Sequence, residues 1–140
     1  SLLYSLGFYK MVEKHLKPFG SMVTQSTSPL YSPEAFLCIK KTMEAAGFST
    51  VPYQNSVPSM GQWGWVIGVR HEAMPAQRLK QELLTLEFAD IETRFFNRDA
   101  MISMAHFGKG LFEKEAQIEP NTQFDHNILK YYRQGNWDVY

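Results

Sequence analysis

The sequence predicts an α/β fold, and three observations carry the prediction. Segments with apolar residues at helical spacing alternate with short β-prone runs, in the order helix, strand, helix, strand, strand. The last two strands are joined by the turn Pro58-Ser59-Met60-Gly61 and read as an antiparallel hairpin. The short strand ahead of the second helix argues for parallel pairing across a crossover.

The elements follow in order. Tyr4, Phe8, Met11, Val12 and Leu16 share one helical face, and Lys17-Pro18-Phe19-Gly20 stops that helix. A chain that opens without Met and within a helical turn reads as part of a longer protein. Ser21–Gln25 is β-prone and leads into the polar cluster Ser26-Thr27-Ser28-Pro29. Ser32-Pro33-Glu34 is a helix start, with Ser as N-cap, Pro at the first position and Glu where the dipole favours it. That helix turns Phe36, Ile39, Met43 and Ala46 inward and ends at Gly47. Phe48 to Val57 is extended, with Pro52 marking an edge or a bulge. In the next strand Trp63, Trp65, Ile67 and Val69 share a face, while Gly64 and Gly68 leave room on the other.

Met74-Pro75 marks a boundary, so the chain divides into residues 1–72 and an extension, 73–140, that packs on them. In the extension Leu79, Leu83 and Leu86 predict a short helix, and Asp99 caps a second that carries Met101, Met104, Ala105 and Phe107. Residues 108–123 are polar and irregular, and Ile128 to Tyr132 is a brief helical patch ended by Gly135.

Composition narrows the function classes. The chain has 140 residues, 44% apolar and 20% charged, which fits one folded domain and excludes wholesale disorder. Fourteen basic residues balance fourteen acidic ones, so no charge excess draws it to nucleic acid or an anionic membrane. The single Cys38 excludes an intrachain disulfide and makes a cytoplasmic location the default. No apolar run reaches the roughly 20 residues of a membrane helix. Aromatics at 14% fit aromatic-lined surfaces or an aromatic core equally well.

Local chemistry is sparse. His15, His71, His106 and His126 never fall at zinc-box spacing, and no metal is expected. Cys38 on an amphipathic helix reads as an inert buried thiol. Glu113, Glu115 and Glu119 read as a solvated face. Glycine-rich phosphate loops and the nucleophile-elbow motif are absent.

Three stretches go further. Leu3-Tyr4-Ser5-Leu6-Gly7-Phe8-Tyr9 followed by His15-Leu16-Lys17-Pro18-Phe19-Gly20 resembles the segment after the catalytic aspartate loop of polyamine aminopropyltransferases, the spermidine-synthase-like family. Val23-Thr24-Gln25-Ser26-Thr27-Ser28-Pro29 with Ala35-Phe36-Leu37-Cys38-Ile39 is similar to the pattern of a bacterial branch whose members often carry membrane helices. Val57-Pro58-Ser59-Met60-Gly61-Gln62-Trp63-Gly64-Trp65 resembles that branch's hairpin. In the tail, Asn121-Thr122, Tyr131-Tyr132 and Gly135-Asn136-Trp137 are similar to its closing motif.

The resemblance implies the C-terminal portion of a methyltransferase-like (Rossmann-like) doubly wound sheet. It implies transfer of an aminopropyl group from decarboxylated S-adenosylmethionine to a diamine such as putrescine, with no tightly bound cofactor. Gln25, Tyr53, Pro58, Ser59 and Trp63 become candidate substrate-binding residues, and Leu3 the candidate contact to the nucleoside. The catalytic aspartates of the family would lie upstream of Ser1, leaving this stretch alone inactive. An exposed sheet edge would then favour homo-oligomers, and any membrane attachment, to the inner membrane, would come through helices ahead of the chain. Val57 stands where ordinary spermidine synthases carry a Tyr at the amine site, which leaves the acceptor open.

Blander readings stand beside each residue: Gln25 as a turn cap, Trp63 as core, Tyr53 as cross-strand packing, and Pro58, Ser59 and Gly61 as turn chemistry. Two other functions also fit these residues. One is a different S-adenosylmethionine-dependent methyltransferase, and the other is a non-catalytic interaction or dimerisation module.

Overall fold

The computed structural model describes residues 2–138. Helix α1 (Leu6–His15) starts at Ser5, whose Oγ accepts a hydrogen bond from the Phe8 amide at 3.2 Å. The expected inward face is corrected in part. Phe8, Val12 and Leu16 do pack against the core, but Met11 is 54% exposed and Tyr9 is fully buried. The packed stripe runs through Ser5, Tyr9, Val12 and Leu16, because α1 docks through Tyr9 beside Cys38 and Thr24. Arg70, at the far end of the third strand, donates through one Nη to the carbonyls of Leu16 (2.6 Å) and Lys14 (3.1 Å), closing the C-terminal end of α1.

Strand β1 (Ser21–Gln25), helix α2 (Pro33–Ala45), and strands β2 (Phe48–Val57) and β3 (Gly61–Arg70) follow in the expected order. Gly47 takes a φ of 104° just past α2, the left-handed position that glycine tolerates. The expected parallel pairing is overturned. The sheet order is β1-β3-β2, and both neighbouring pairs are antiparallel. Strands β1 and β2 do run in the same direction with α2 as the crossover, but β3 is inserted between them. The short connection after Val57 brings β3 straight back onto β2, at little loop-closure cost, and β1 then pairs with its remaining edge. Pro52 accordingly lies on an edge strand, where its missing N–H is harmless.

Helix α2 packs on one sheet face and is buried nearly all round, with Ala35, Phe36, Leu37, Cys38, Ile39, Thr42 and Met43 inaccessible or nearly so. It comes so close to β3 because two strand residues lack side chains. A Cβ at Gly64 would lie 2.5 Å from Phe36 Cε2, and one at Gly68 would lie 2.8 Å from Met43 Cε. Burial pushes the Cys38 thiol up to about 12, against smaller opposing effects of Thr42 and Lys41, and its Sγ donates to the Glu119 carbonyl. A protonated, inaccessible thiol is no nucleophile.

Helices α3 (Ala76–Leu84) and α4 (Arg98–Met104) pack against β2. Tyr53 and Ile67, from the sheet face opposite α2, meet Leu83 and Met101 around an apolar cavity of about 200 Å³. Asn97, not Asp99, caps α4: its Oδ1 accepts from the Ala100 amide at 2.8 Å, and Asp99 sits in the first turn. Phe107 falls beyond that helix and packs on Phe36.

The irregular stretch contains a 3-10 helix, Phe112–Gln117, held to α2 by charge. Lys40 bridges Glu44 (2.9 Å) and Glu115, and Lys41 Nζ donates to the Glu115 carbonyl. Glu115 is therefore an ion-pair partner and not part of a solvated face; Glu113 and Glu119 are exposed. Burial works to lower the Lys40 ammonium, but the two carboxylates outweigh it and raise it. Helix α5 (Asn127–Arg133) returns to α2 and buries Tyr131, whose hydroxyl accepts from the Glu119 amide.

Candidate functional site

The C-terminal ends of β1 and β2 and the start of β3 lie at one end of the sheet. The register sets Gln25 opposite Trp65 and Trp65 opposite Tyr53, so these three form one row across all three strands. Strand alternation puts Trp63 on the same face, one step nearer the hairpin turn and opposite Asn55. Trp65 thus stands between Gln25 and Tyr53. It stacks on Tyr53 with centroids 5.8 Å apart and planes 15° from parallel. Burial raises the Tyr53 phenol, which stays neutral.

Gln25 is exposed, and its side-chain amide makes no hydrogen bond among the described residues. Capping of the next turn falls to its neighbours. Ser26 Oγ donates to the Thr24 carbonyl at 3.0 Å, and Ser28 Oγ accepts from the Leu30 and Tyr31 amides. Paired backbone bonds lock this loop to β3: the Ser26 amide donates to the Gly64 carbonyl (2.8 Å), and the Gly64 amide donates to the Thr27 carbonyl (2.7 Å). Thr27 pays for that fit with a φ of 58°.

Two buried polar atoms flank the locked position without a partner among the described residues, Thr27 Oγ1 and Trp63 Nε1. Thr27 can accept or donate, whereas the indole nitrogen only donates. An ammonium at this rim would find an acceptor in the exposed Gln25 amide oxygen and aromatic faces in the tryptophans, whereas Thr27 Oγ1 is buried out of its reach.

Pro58 and Ser59 are exposed in the hairpin turn. Gly61 closes it at φ 73°, and a Cβ there would lie 3.2 Å from the Tyr31 hydroxyl, so the turn leans on Tyr31. Val57 is half-buried opposite Gly61. Leu3 is 56% exposed in the turn before α1, and among the described residues no hydrogen bond of that turn reaches the strand ends. The structure therefore brings Gln25, Trp63 and Tyr53 onto one face and sets Pro58 and Ser59 in the hairpin turn at its end, while Leu3 belongs to a separate turn ahead of α1.

Thr27 and Tyr31 were not singled out by sequence reasoning. The Ser-Thr-Ser-Pro cluster announced a turn, but neither the left-handed Thr27 nor the approach of Tyr31 to Gly61 has a local sequence signal.

Comparison with known proteins gives the family and the fold. The model of the spermine/spermidine synthase domain matches residues 1–81, more than half of the chain. Polyamine aminopropyltransferase 2 of Ralstonia nicotianae is 30% identical over 132 residues, covering 94% of this chain and 24% of that protein. The polyamine aminopropyltransferase of Oceanobacillus iheyensis is 31% identical over 140 residues, covering 99% and 25%. The chain spans about a quarter of the length of these curated relatives. A crystal structure of a spermidine synthase in complex with the transition-state analogue AdoDATO matches with a TM-score of 0.62 at 16% identity, over 84% of this chain and 41% of that one. Spermidine synthase from Thermotoga maritima matches at 0.61, also at 16% identity, over 83% and 40%. These structures support the methyltransferase-like fold, of which the three strands and their flanking helices are one portion. By the family model and its coverage, the chain belongs to the spermine/spermidine synthase family.

Proposed function

We propose that the protein to which this chain belongs transfers an aminopropyl group from decarboxylated S-adenosylmethionine to a diamine such as putrescine. The observation that carries the reading is the row Gln25–Trp65–Tyr53 at the strand ends, within a chain of this family. Ligands of doubly wound sheets sit outside the carboxyl ends of the strands, which is where Gln25 lies.

The chemistry asks more of positioning than of acid catalysis. An amine nitrogen attacks the methylene beside the sulfonium, the C–N bond forms, and the C–S bond breaks with its electron pair left on sulfur as a neutral thioether. The proton goes to a base before the attack, when the substrate ammonium becomes the free amine, and the product nitrogen is left as a secondary ammonium. The sulfonium is already a good leaving group, so alignment and deprotonation of the amine dominate the barrier. Gln25 would accept from the diamine's distal ammonium without adding charge, and Trp63, Pro58 and Ser59 would border the methylene chain. Tyr53 would act from behind Trp65, and Leu3 would lie against the adenine. By the resemblance, the family's base and nucleoside-cradling strand lie outside this chain, so in this reading these 140 residues alone carry binding and not turnover.

Residues 1–72 form the sheet unit in this reading, and 73–140 the extension that buttresses it. The balanced charge gives no footprint for nucleic acid, and no described helix is long and apolar enough to cross a membrane. The decisive experiment incubates the full-length protein with decarboxylated S-adenosylmethionine and single diamines of different length, and identifies products by mass spectrometry. Formation of an aminopropylated diamine is expected. Absence of product with every diamine would overturn the reading.

A further inference from the structure

Tyr4 has a φ of 67°, a left-handed backbone that a bulky residue adopts only when its surroundings hold it there. The side chain that holds it comes from 117 residues away. Asn121 Nδ2 donates to the Tyr4 carbonyl at 3.1 Å. Asn121 is 1% exposed, and all of its polar groups are used. Its amide donates to Thr42 Oγ1 (2.9 Å), its carbonyl accepts from the Leu6 amide (2.8 Å), and its Oδ1 accepts from the Ile128 amide (3.2 Å). Thr42 is itself fixed, donating its hydroxyl to the Cys38 carbonyl at 2.6 Å. One residue thus ties α2 and α5 to the turn that carries Leu3. That turn is further closed by Ser5, which donates from Oγ to the Leu2 carbonyl at 2.6 Å.

We propose that Asn121 is a positioning residue for the nucleoside co-substrate: by holding Tyr4 in the left-handed conformation it fixes the Leu2–Ser5 turn, and with it Leu3. The inference rests on the assignment of Leu3 to the nucleoside in the function proposed above. Its physical content is that a contact near the start of the chain is built by the extension near its end. Without the Nδ2 bond the Tyr4 carbonyl has no partner among the described residues, and the strained Tyr4 relaxes toward negative φ. The turn then reorients, and the exposed Leu3 side chain moves with it. The amine row at Gln25 belongs to other elements and stays in place.

The test uses the full-length protein and three variants, Asn121→Ala, Asn121→Ser and Tyr4→Gly. Both Asn121 variants are expected to raise KM for decarboxylated S-adenosylmethionine by about tenfold, while KM for the diamine stays within about twofold. Glycine holds a positive φ without help, so in a Tyr4→Gly background Asn121→Ala should raise KM no more than about threefold. Parallel rises in both KM values, an unchanged KM with a lowered melting temperature, or the full tenfold effect in the Tyr4→Gly background would each overturn the proposal. So would failure of both Asn121 variants to fold, since Asn121 would then serve the fold as a whole. If the unmodified protein makes no aminopropylated product, the function proposed above fails on its own. The positioning role is then read from amide exchange at Ser5 and from the three-bond HN–Hα coupling of Tyr4. Both should change in Asn121→Ala, and their constancy would remove Asn121 from this role.

Discussion

The phenol ring of Tyr53 lies 15° from parallel to the indole of Trp65, at a centroid separation of 5.8 Å, across a register pair of β2 and β3. Stacked cross-strand aromatics of this kind stabilise a hairpin beyond the area they bury. Tyr53 also walls the apolar cavity shared with Leu83, Phe88, Phe96 and Met101, so it connects the sheet to the extension. Its hydroxyl makes no hydrogen bond among the described residues. Tyr53→Phe should therefore leave stability within about 0.5 kcal/mol, the usual range for a change that breaks no bond. Tyr53→Ala should cost about 2–3 kcal/mol, below the range for a fully buried aromatic because Tyr53 is only half-buried. Chemical denaturation of the two variants checks both expectations, and a Phe variant as damaged as Ala would give the hydroxyl a role.

Gly64 lies directly beneath α2. A methyl group there would meet Phe36 Cδ2 at 2.8 Å, Phe36 Cε2 at 2.5 Å and the Thr27 carbonyl at 3.0 Å. Phe36 is fully buried and cannot swing away without disturbing its neighbours. Gly64→Ala should lower stability by about 1–3 kcal/mol, the usual cost of overpacking. Gly108→Ala, which meets nothing within 4 Å, is the control and should be close to neutral. Melting curves for the pair are sufficient. Equal melting temperatures would show that the helix–sheet spacing is softer than the geometry requires.

The elements that were legible in the sequence are those whose signals are local. Pro33 at a helix start, Gly47 past its end and the alternation from Trp63 to Val69 each report a backbone state within a few residues. The insertion of β3 between β1 and β2 was not legible, because it depends on which strand edge is left free after the hairpin closes. Met11 and Tyr9 are both apolar enough to face inward, and the docking of α1 beside Cys38 decides between them. Glu115 reads as one of three solvated acids until Lys40 is brought to it across 75 residues. At the candidate site Gln25, Tyr53 and Trp63 were nominated by strand position and resemblance, but the row that sets Trp65 between Gln25 and Tyr53 depends on the β1–β3 pairing and was not legible. The clamp from Asn121 was not, since a polar residue between Pro120 and Thr122 looks like an ordinary loop.

Strand β1 ends the sheet order, and its outer edge pairs with no other described strand. Val23, in its middle, is 49% exposed. An edge of this kind, with an apolar residue and no charge in Ser21–Gln25, is a template for pairing with another chain. The 140-residue chain alone is therefore expected to self-associate, with apparent mass rising across a tenfold concentration range in light scattering. Val23→Lys places a charge on the exposed edge strand and should shift the population toward monomer. A clean monomer at every concentration would remove this edge as an association site.

Gln25 is the residue on which the proposed amine site depends most directly. It terminates β1, is exposed, and has an amide that no protein group satisfies among the described residues. An ammonium arriving at the strand ends would take its hydrogen bond from solvent to the Gln25 oxygen in a site partly walled by tryptophan. Losing a hydrogen bond to a charged group costs about 1.5–3 kcal/mol. In the full-length protein Gln25→Ala should therefore reduce kcat/KM for the amine by roughly tenfold to a hundredfold. Binding of the nucleoside co-substrate should change far less, because Leu3 and its turn are held by Asn121 and not by β1. Stability should move little as well, since the caps of the following turn are Ser26 and Ser28. Steady-state kinetics with each substrate varied in turn, together with a melting curve, separates the outcomes on one variant. An unchanged kcat/KM for the amine would take Gln25 out of the site, and a lowered melting temperature with intact kinetics would make it a structural residue of the strand end.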